Sequence, residues 1–193
     1  MKKIEVMLID AHSGRSAILE QALRDAGYHI VVRTARTDQL LQQVRETQPD
    51  VILIDIELPD RDTLEQLRDV GLNQPRPIVM FAERSDPETT AAALRAGVSA
   101  YVVDDLNPRR LQPIMEVAIA RFREYQALRR ELEETRNRLA ERKVIEKAKG
   151  LLMAQRNLSE EEAYQALRKL AMDRNQRIGE VARTVTSLLE MLG

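Results

Sequence analysis

Apolar residues follow two rhythms along the chain. Up to about residue 107, short continuous apolar runs alternate with stretches that repeat every three or four residues; beyond it only the helical repeat remains. The runs are Ile4–Asp10, His29–Arg33, Asp50–Asp55, Pro77–Phe81 and Ala100–Val103. Apolar runs of this length, bounded by turn residues, predict buried strands. Helices are expected between them. Ile18, Leu19, Ala22 and Leu23 share one face, stopped by Gly27 at the C′ position. Leu40, Leu41 and Val44 mark the next, Leu64 and Leu67 a third that opens near the N-cap Asp62, and Ala91–Ala96 a fourth closed by Gly97. Continuous apolar strands alternating with helices predict an α/β domain whose five-stranded parallel sheet is covered on both faces.

From about Pro108 to Ala154 the rhythm predicts one helix, with Asn107 as N-cap and Pro108 at N1. Some 47 residues would make a rod on the order of 70 Å, beyond ordinary globular length, so it should join two separate bodies. Leu111, Ile114, Val117 and Ala118 are expected to pack back on the sheet domain. Tyr125, Leu128, Leu132, Thr135 and Leu139 then fall at a/d spacing with charged flanks. This thin seam predicts a parallel coiled-coil homodimer; the alternative is a single solvated helix held by i,i+4 pairs. After Leu139 the apolar face broadens through Val144, Ile145, Ala148, Leu151 and Leu152 to a left-handed stop at Asn157. Ser159 and Glu162 form a capping box opening a helix buried at Ala163, Ala166, Leu167, Leu170 and Ala171. A polar turn at Asp173–Gln176 precedes a last helix with Ile178, Val181, Ala182, Val185, Leu188, Leu189 and Leu192. The expected organisation is a sheet domain over 1–120, a coiled-coil linker over 121–141 and a three-helix bundle over 142–193.

Composition narrows the function classes. Aromatics are 3% with no Trp, which argues against base-stacking platforms. Cys is absent, which excludes disulfides, thiol chemistry and Cys-based zinc sites and suits a reducing compartment. No apolar run reaches membrane-spanning length, and the start MKKIEVMLID turns acidic too soon for a signal peptide, so a soluble cytoplasmic protein is expected. Residues 1–107 carry 12 Lys and Arg against 18 Asp and Glu, whereas 108–193 carry 18 against 13. An acidic front and a basic back suggest a docking module joined to something that meets a polyanion. In the bundle the expected exposed positions include Arg142, Lys143, Lys147, Lys149, Arg156 and Arg183, and RKLAMDRNQR brings four cations, Asn175 and Gln176 around one turn.

Asp10 and Asp55 close two strands, where sites form in open α/β sheets. Two such carboxylates could hold Mg²⁺ and one could accept a phosphoryl group; equally, strand-end acids cap turns. His12 and His29 are isolated. No catalytic constellation is present, so neither an enzyme nor a cofactor is expected.

The order VMLID, DVILIDIELPD, PIVMFA and AGVSAYVVDD resembles a two-component receiver domain, a flavodoxin-like fold, over roughly residues 4–120. On that resemblance Asp55 matches the phosphoacceptor, Asp10 the first acid of the acidic pair and Tyr101 the aromatic switch residue. Three positions depart: Ala11 replaces the second acid, Ala82 the switch Ser/Thr, and Asp104 the lysine after the fifth strand. The resemblance therefore implies a pseudo-receiver with vestigial acids at Asp10 and Asp55, regulated by docking. From about Arg142 to Leu192 the chain is similar to an ANTAR domain, an RNA-binding antiterminator module, at Ala148, Leu152-Met153, Glu162-Ala163-Tyr164, Leu167-Arg168, Ala171-Met172 and Val181-Ala182. Together the parts resemble antiterminators of the NasT/AmiR type, and LPDRDTLEQL, RPIVMFAE, AYVVDDL and IARFREYQALRRELEE resemble the NasT branch of nitrate/nitrite assimilation regulators. That resemblance implies binding to paired hairpins in a leader mRNA, which disfavours a terminator, and control by a NasS-like nitrate/nitrite sensor protein. The candidate RNA contacts are Lys149, Arg168, Lys169, Arg174, Gln176 and Arg177; the candidate dimer contacts are Tyr125, Leu128, Leu132 and Leu139. Two alternatives stay open. IGEVARTV resembles part of a helix-turn-helix of a DNA-binding response regulator, although the apolar repeat shows no turn after Ala182. A phospho-receiver adaptor would use Asp55 as a working acceptor.

Overall fold

The computed structural model describes residues 3–10, 16–103 and 107–192. Chain order is β1 (Glu5–Asp10), α1 (Ser16–Asp25), β2 (His29–Thr34), α2 (Leu40–Thr47), β3 (Val51–Ile56), α3 (Arg61–Asn73), β4 (Ile78–Ala82), α4 (Pro87–Arg95), β5 (Ala100–Val103), α5 (Pro108–Arg156), α6 (Glu160–Asp173) and α7 (Ile178–Leu192). The five strands form one parallel sheet in the order β2-β1-β3-β4-β5. Two compact units result, Met1–Gln126 and Ala127–Gly193.

Alternation along the strands divides the first unit's core in two. Val6, Leu8, Val51, Leu53, Val79 and Phe81 face Leu19 and Leu23 of α1 and Leu111, Met115 and Ala118 of α5. Met7, Ile9, Ile52, Ile54 and Met80 face Leu40 and Val44 of α2, Leu67 and Val70 of α3 and Ala93 of α4. Both faces being covered explains why these strands are apolar throughout instead of alternating. Gly27 (φ 85°) and Gly97 (φ 101°) end α1 and α4 in the left-handed region. Each helix end is closed by paired main-chain bonds, Tyr28 N–H to Leu23 O at 2.9 Å and Val98 N–H to Ala93 O at 3.1 Å.

Several local expectations shift. The N-cap of α3 is Asp60, whose carboxylate accepts from Thr63 N–H at 2.7 Å; Asp62 lies inside the first turn. Asn107 does cap α5, accepting from Arg109 N–H at 3.0 Å. Pro113 sits inside α5 without ending it; having no N–H, it removes the bond that would reach the Arg109 carbonyl. Ile18 and Val117, expected against the sheet, are exposed. Ala11, His12, Asp104 and Asp105 lie outside the described residues.

In the second unit Ala148, Leu167, Ala171, Val181 and Ala182 form the core, with Val144, Ile145, Leu152, Leu170, Ile178 and Val185 around it. Ala166 and Leu188 were expected in this core and are exposed. Asn157 takes φ 54° after α5, and the Ser159/Glu162 capping box opens α6 with both reciprocal bonds present.

Candidate nucleic-acid interface

The basic turn between α6 and α7 is shaped by its main chain. Asn175 holds φ 50°. Gln176 N–H donates to Ala171 O at 3.0 Å and Asn175 N–H to Met172 O at 3.1 Å, the two bonds of a Schellman closure. On the far side, Glu180 N–H and Val181 N–H donate to Arg177 O at 3.0 and 3.2 Å, and Glu180 reaches back to Arg177 N–H at 3.3 Å. Arg174, Gln176 and Arg177 are thus presented on a fixed four-residue turn, with exposed side chains. Arg168 and Lys169 project from exposed positions of α6. Among the described residues none of these four cations is ion-paired, so their charge is available to an outside anion.

Lys149 belongs elsewhere. Its side chain is only 9% exposed, and its ammonium donates to Glu146 at 3.0 and 3.1 Å and to Glu160 at 2.6 Å. This corrects its expected exposure: a long cation on α5 is clamped to the first residue of α6. The bonds to Glu160, then to Glu146, raise the Lys149 pKa, while Lys149 holds the Glu160 carboxyl below the usual range. A depressed carboxyl stabilises the fold above the ordinary Glu range and loses that contribution as pH falls through its folded value. A raised ammonium stabilises below the ordinary Lys range and loses it as pH rises through its own. The clamp is therefore complete throughout the neutral range. Lys149→Gln is expected to lower the melting temperature of the second unit at pH 7 and to leave the salt dependence of polyanion binding unchanged, which thermal melts and a salt titration would check.

A second contact was invisible in the sequence. Gly179 is buried in the first turn of α7, and a Cβ built there would stand 2.6 Å from Glu141 Oε1 and 2.7 Å from Glu141 Cγ. The Glu141 side chain of α5 thus lies against the positive end of α7 in space that only glycine leaves open. Gly179→Ala is expected to destabilise the unit by about 1 kcal/mol. Gly179→Ala with Glu141→Ala should recover most of that loss, because the clash is gone and Ala is the better helix former. Denaturant melts of the two single variants and the double variant would measure the coupling.

In the first unit, Asp10 and Asp55 are register partners on adjacent strands, 5% and 1% exposed at the carboxyl end of the sheet. Ala82 ends β4 beside Ile56, offering a methyl group and no hydroxyl. The Tyr101 ring packs on the core between the sheet and α2–α4, and its buried Oη has no hydrogen-bond partner among the described residues. No group of three or more potential metal ligands occurs among the described residues. Two carboxylates are a thin donor set for Mg²⁺. His29 opens the edge strand β2 with its side chain exposed.

Residues 6–116 match the response regulator receiver domain family, and residues 133–185 match the ANTAR domain. The chain is 33% identical over 175 residues to the transcriptional regulatory protein PdtaR of Mycobacterium tuberculosis, covering 91% of this chain and 84% of that relative. The chain belongs to the ANTAR-domain response regulators. A shorter match, 49% identical over 65 residues, links 34% of this regulator to 16% of a nitrate regulatory protein of Klebsiella oxytoca. The fold of the first unit is that of a CheY-like receiver domain protein from Methanospirillum hungatei, with a TM-score of 0.56 at 22% identity over 64% of this chain and 99% of that one. The receiver domain of a modulated diguanylate cyclase from Desulfovibrio desulfuricans gives 0.57 at 21% identity, with 64% and 99% coverage. The ANTAR match begins inside the segment expected as linker, so Glu134 and Leu139 of the regulator belong to it. Along α5 of the regulator, Tyr125, Leu128, Leu132 and Leu139 are 63, 64, 50 and 55% exposed. No helix among the described residues is long and apolar enough to cross a membrane.

Proposed function

We propose that the protein is an RNA-binding transcription antiterminator that grips paired hairpins of a leader mRNA and so disfavours a terminator. The observation that carries this reading is the main-chain-fixed turn at Arg174–Arg177, with its unpaired cations and an amide, in an ANTAR domain. Arg forks and Lys ammoniums neutralise phosphates, and Gln176 and the Arg side chains are suited to base edges splayed in a loop. Arg168, Lys169, Arg174, Gln176 and Arg177 are the assigned contacts; Lys149, clamped by two carboxylates, instead ties α5 to the start of α6.

The exposed stripe Tyr125, Leu128, Leu132, Leu139 is assigned to a parallel homodimer that brings two ANTAR domains to two hairpins. The receiver acts by docking. Ala82 supplies no hydroxyl for a phosphoryl oxygen and residue 11 is Ala, so Asp10 and Asp55 are vestigial acids. Nitrate assimilation, with a NasS-like nitrate/nitrite sensor as the cytoplasmic partner, is the assigned pathway, supported by the sequence resemblance and the short match to a nitrate regulatory protein. The helix-turn-helix reading is disfavoured because α7 continues unbroken from Ile178 to Leu192.

The deciding experiment is binding of the purified protein to a two-hairpin leader RNA across a salt series, with duplex DNA as competitor. Tight binding that survives DNA and needs both hairpins is the expected result. Binding to DNA alone, or to neither, would overturn the reading.

A further inference from the structure

At the amino ends of the strands, opposite Asp10 and Asp55, the first unit has a pocket with a cavity volume of about 450 Å³. Its lining combines three cations, Lys3, Arg76 and Arg123, with the apolar side chains of Ile4, Ile119 and Phe122. Asp50 is its sole acid among the described residues and is engaged by the Glu5 N–H at 2.9 Å. This concentration of positive charge sits in a module whose overall balance is acidic.

The pocket is built rather than incidental. Arg76 stands between Pro75 and Pro77, and Pro49 also lines the pocket, so the backbone there is held by three fixed φ angles. Gln48 positions the guanidinium: its Oε1 accepts from Arg76 Nη2 at 2.6 Å while its own amide donates to Arg45 O at 3.0 Å. Arg76 Nη1 donates to Pro75 O at 3.3 Å. Arg76 Nε is buried without an acceptor among the described residues. Lys3 and Arg123 make no ion pair among the described residues and stand exposed at the pocket.

We infer that this pocket binds a small phosphate ester, its phosphate held by Arg76, Arg123 and Lys3 and its apolar or flat body against Ile119 and Phe122. A guanidinium offers parallel donors matched to phosphate oxygens, and three cations against one engaged acid favour a doubly charged head. The volume lies in the range of small-molecule sites, and apolar walls with a few fixed polar groups are their usual make-up. Phe122 and Arg123 belong to α5, so occupancy would be felt on the helix that carries the exposed Tyr125.

The test uses the full chain, ¹⁵N-labelled, titrated with phenyl phosphate as head plus body and inorganic phosphate as head alone. The Arg76 Nε–H signal and the Gln48 and Arg123 amides should move saturably with phenyl phosphate, several-fold more tightly than with inorganic phosphate. Lys3→Gln with Arg123→Gln, both exposed positions, should weaken phenyl phosphate about tenfold with the spectrum otherwise intact. Non-saturating shifts, shifts confined to the Arg174–Arg177 turn, equal affinity for inorganic phosphate, or no effect of the double variant would each overturn the assignment. None of these results depends on whether the second unit binds RNA.

Discussion

Replacing Arg174 and Arg177 together by alanine is expected to weaken binding to a leader hairpin pair by about a hundredfold or more at moderate salt. Helical content should not change. The turn owes its shape to Asn175 in the left-handed region and to bonds between main-chain groups, none of which uses either guanidinium. Loss of affinity would therefore report recognition and not unfolding. The slope of log affinity against log salt should fall by about one for each phosphate contact removed. Fluorescence anisotropy across the salt series, with circular dichroism on the same samples, makes the measurement. Unchanged affinity would remove this turn from the interface.

The second large effect concerns the stripe on α5. Leu132→Lys with Leu139→Lys should leave a monomer in sedimentation experiments, because each places a charge at a seam position now 50 and 55% exposed in the single chain. Affinity for the paired hairpins should fall about a hundredfold or more, to the level of one hairpin, since the second contact ceases to be intramolecular. Affinity for an isolated hairpin should hold. A variant that stays dimeric would show that other surfaces join the copies.

How much of this was legible in the sequence depends on which interactions are local. The sheet was, because strands buried on both faces need unbroken apolar runs such as Val51–Ile54, and the α1 and α4 stops were, because Gly27 and Gly97 mark backbone that other residues rarely adopt. The N-cap of α3 slipped from Asp62 to Asp60 because LPDRD offers two acids within one turn and only the fold chooses between them. Ala166 and Leu188 fell on the wrong side because the apolar arcs of α6 and α7 are wider than a three-helix bundle can cover. Among the candidate contacts, the turn at Arg174–Arg177 was legible as a cluster of adjacent residues. Lys149 was not: its carboxylate partner Glu160 sits on the next helix, and no rule of spacing distinguishes a clamped lysine from a solvated one. Gly179 against Glu141, 38 positions apart in the sequence, was beyond reach for the same reason.

The Schellman closure at Ala171–Gln176 has a consequence for how this protein could change over time. Because carbonyls and amides set the shape, the exposed side chains at 174, 176 and 177 can be exchanged at little cost to folding, whereas an inserted or deleted residue would break the paired bonds. On the proposed RNA-binding reading, preference for one leader over another could therefore drift by substitution alone. Foldability and target choice would then be separately adjustable, because Asn175, which holds the left-handed turn, is not among the assigned contacts.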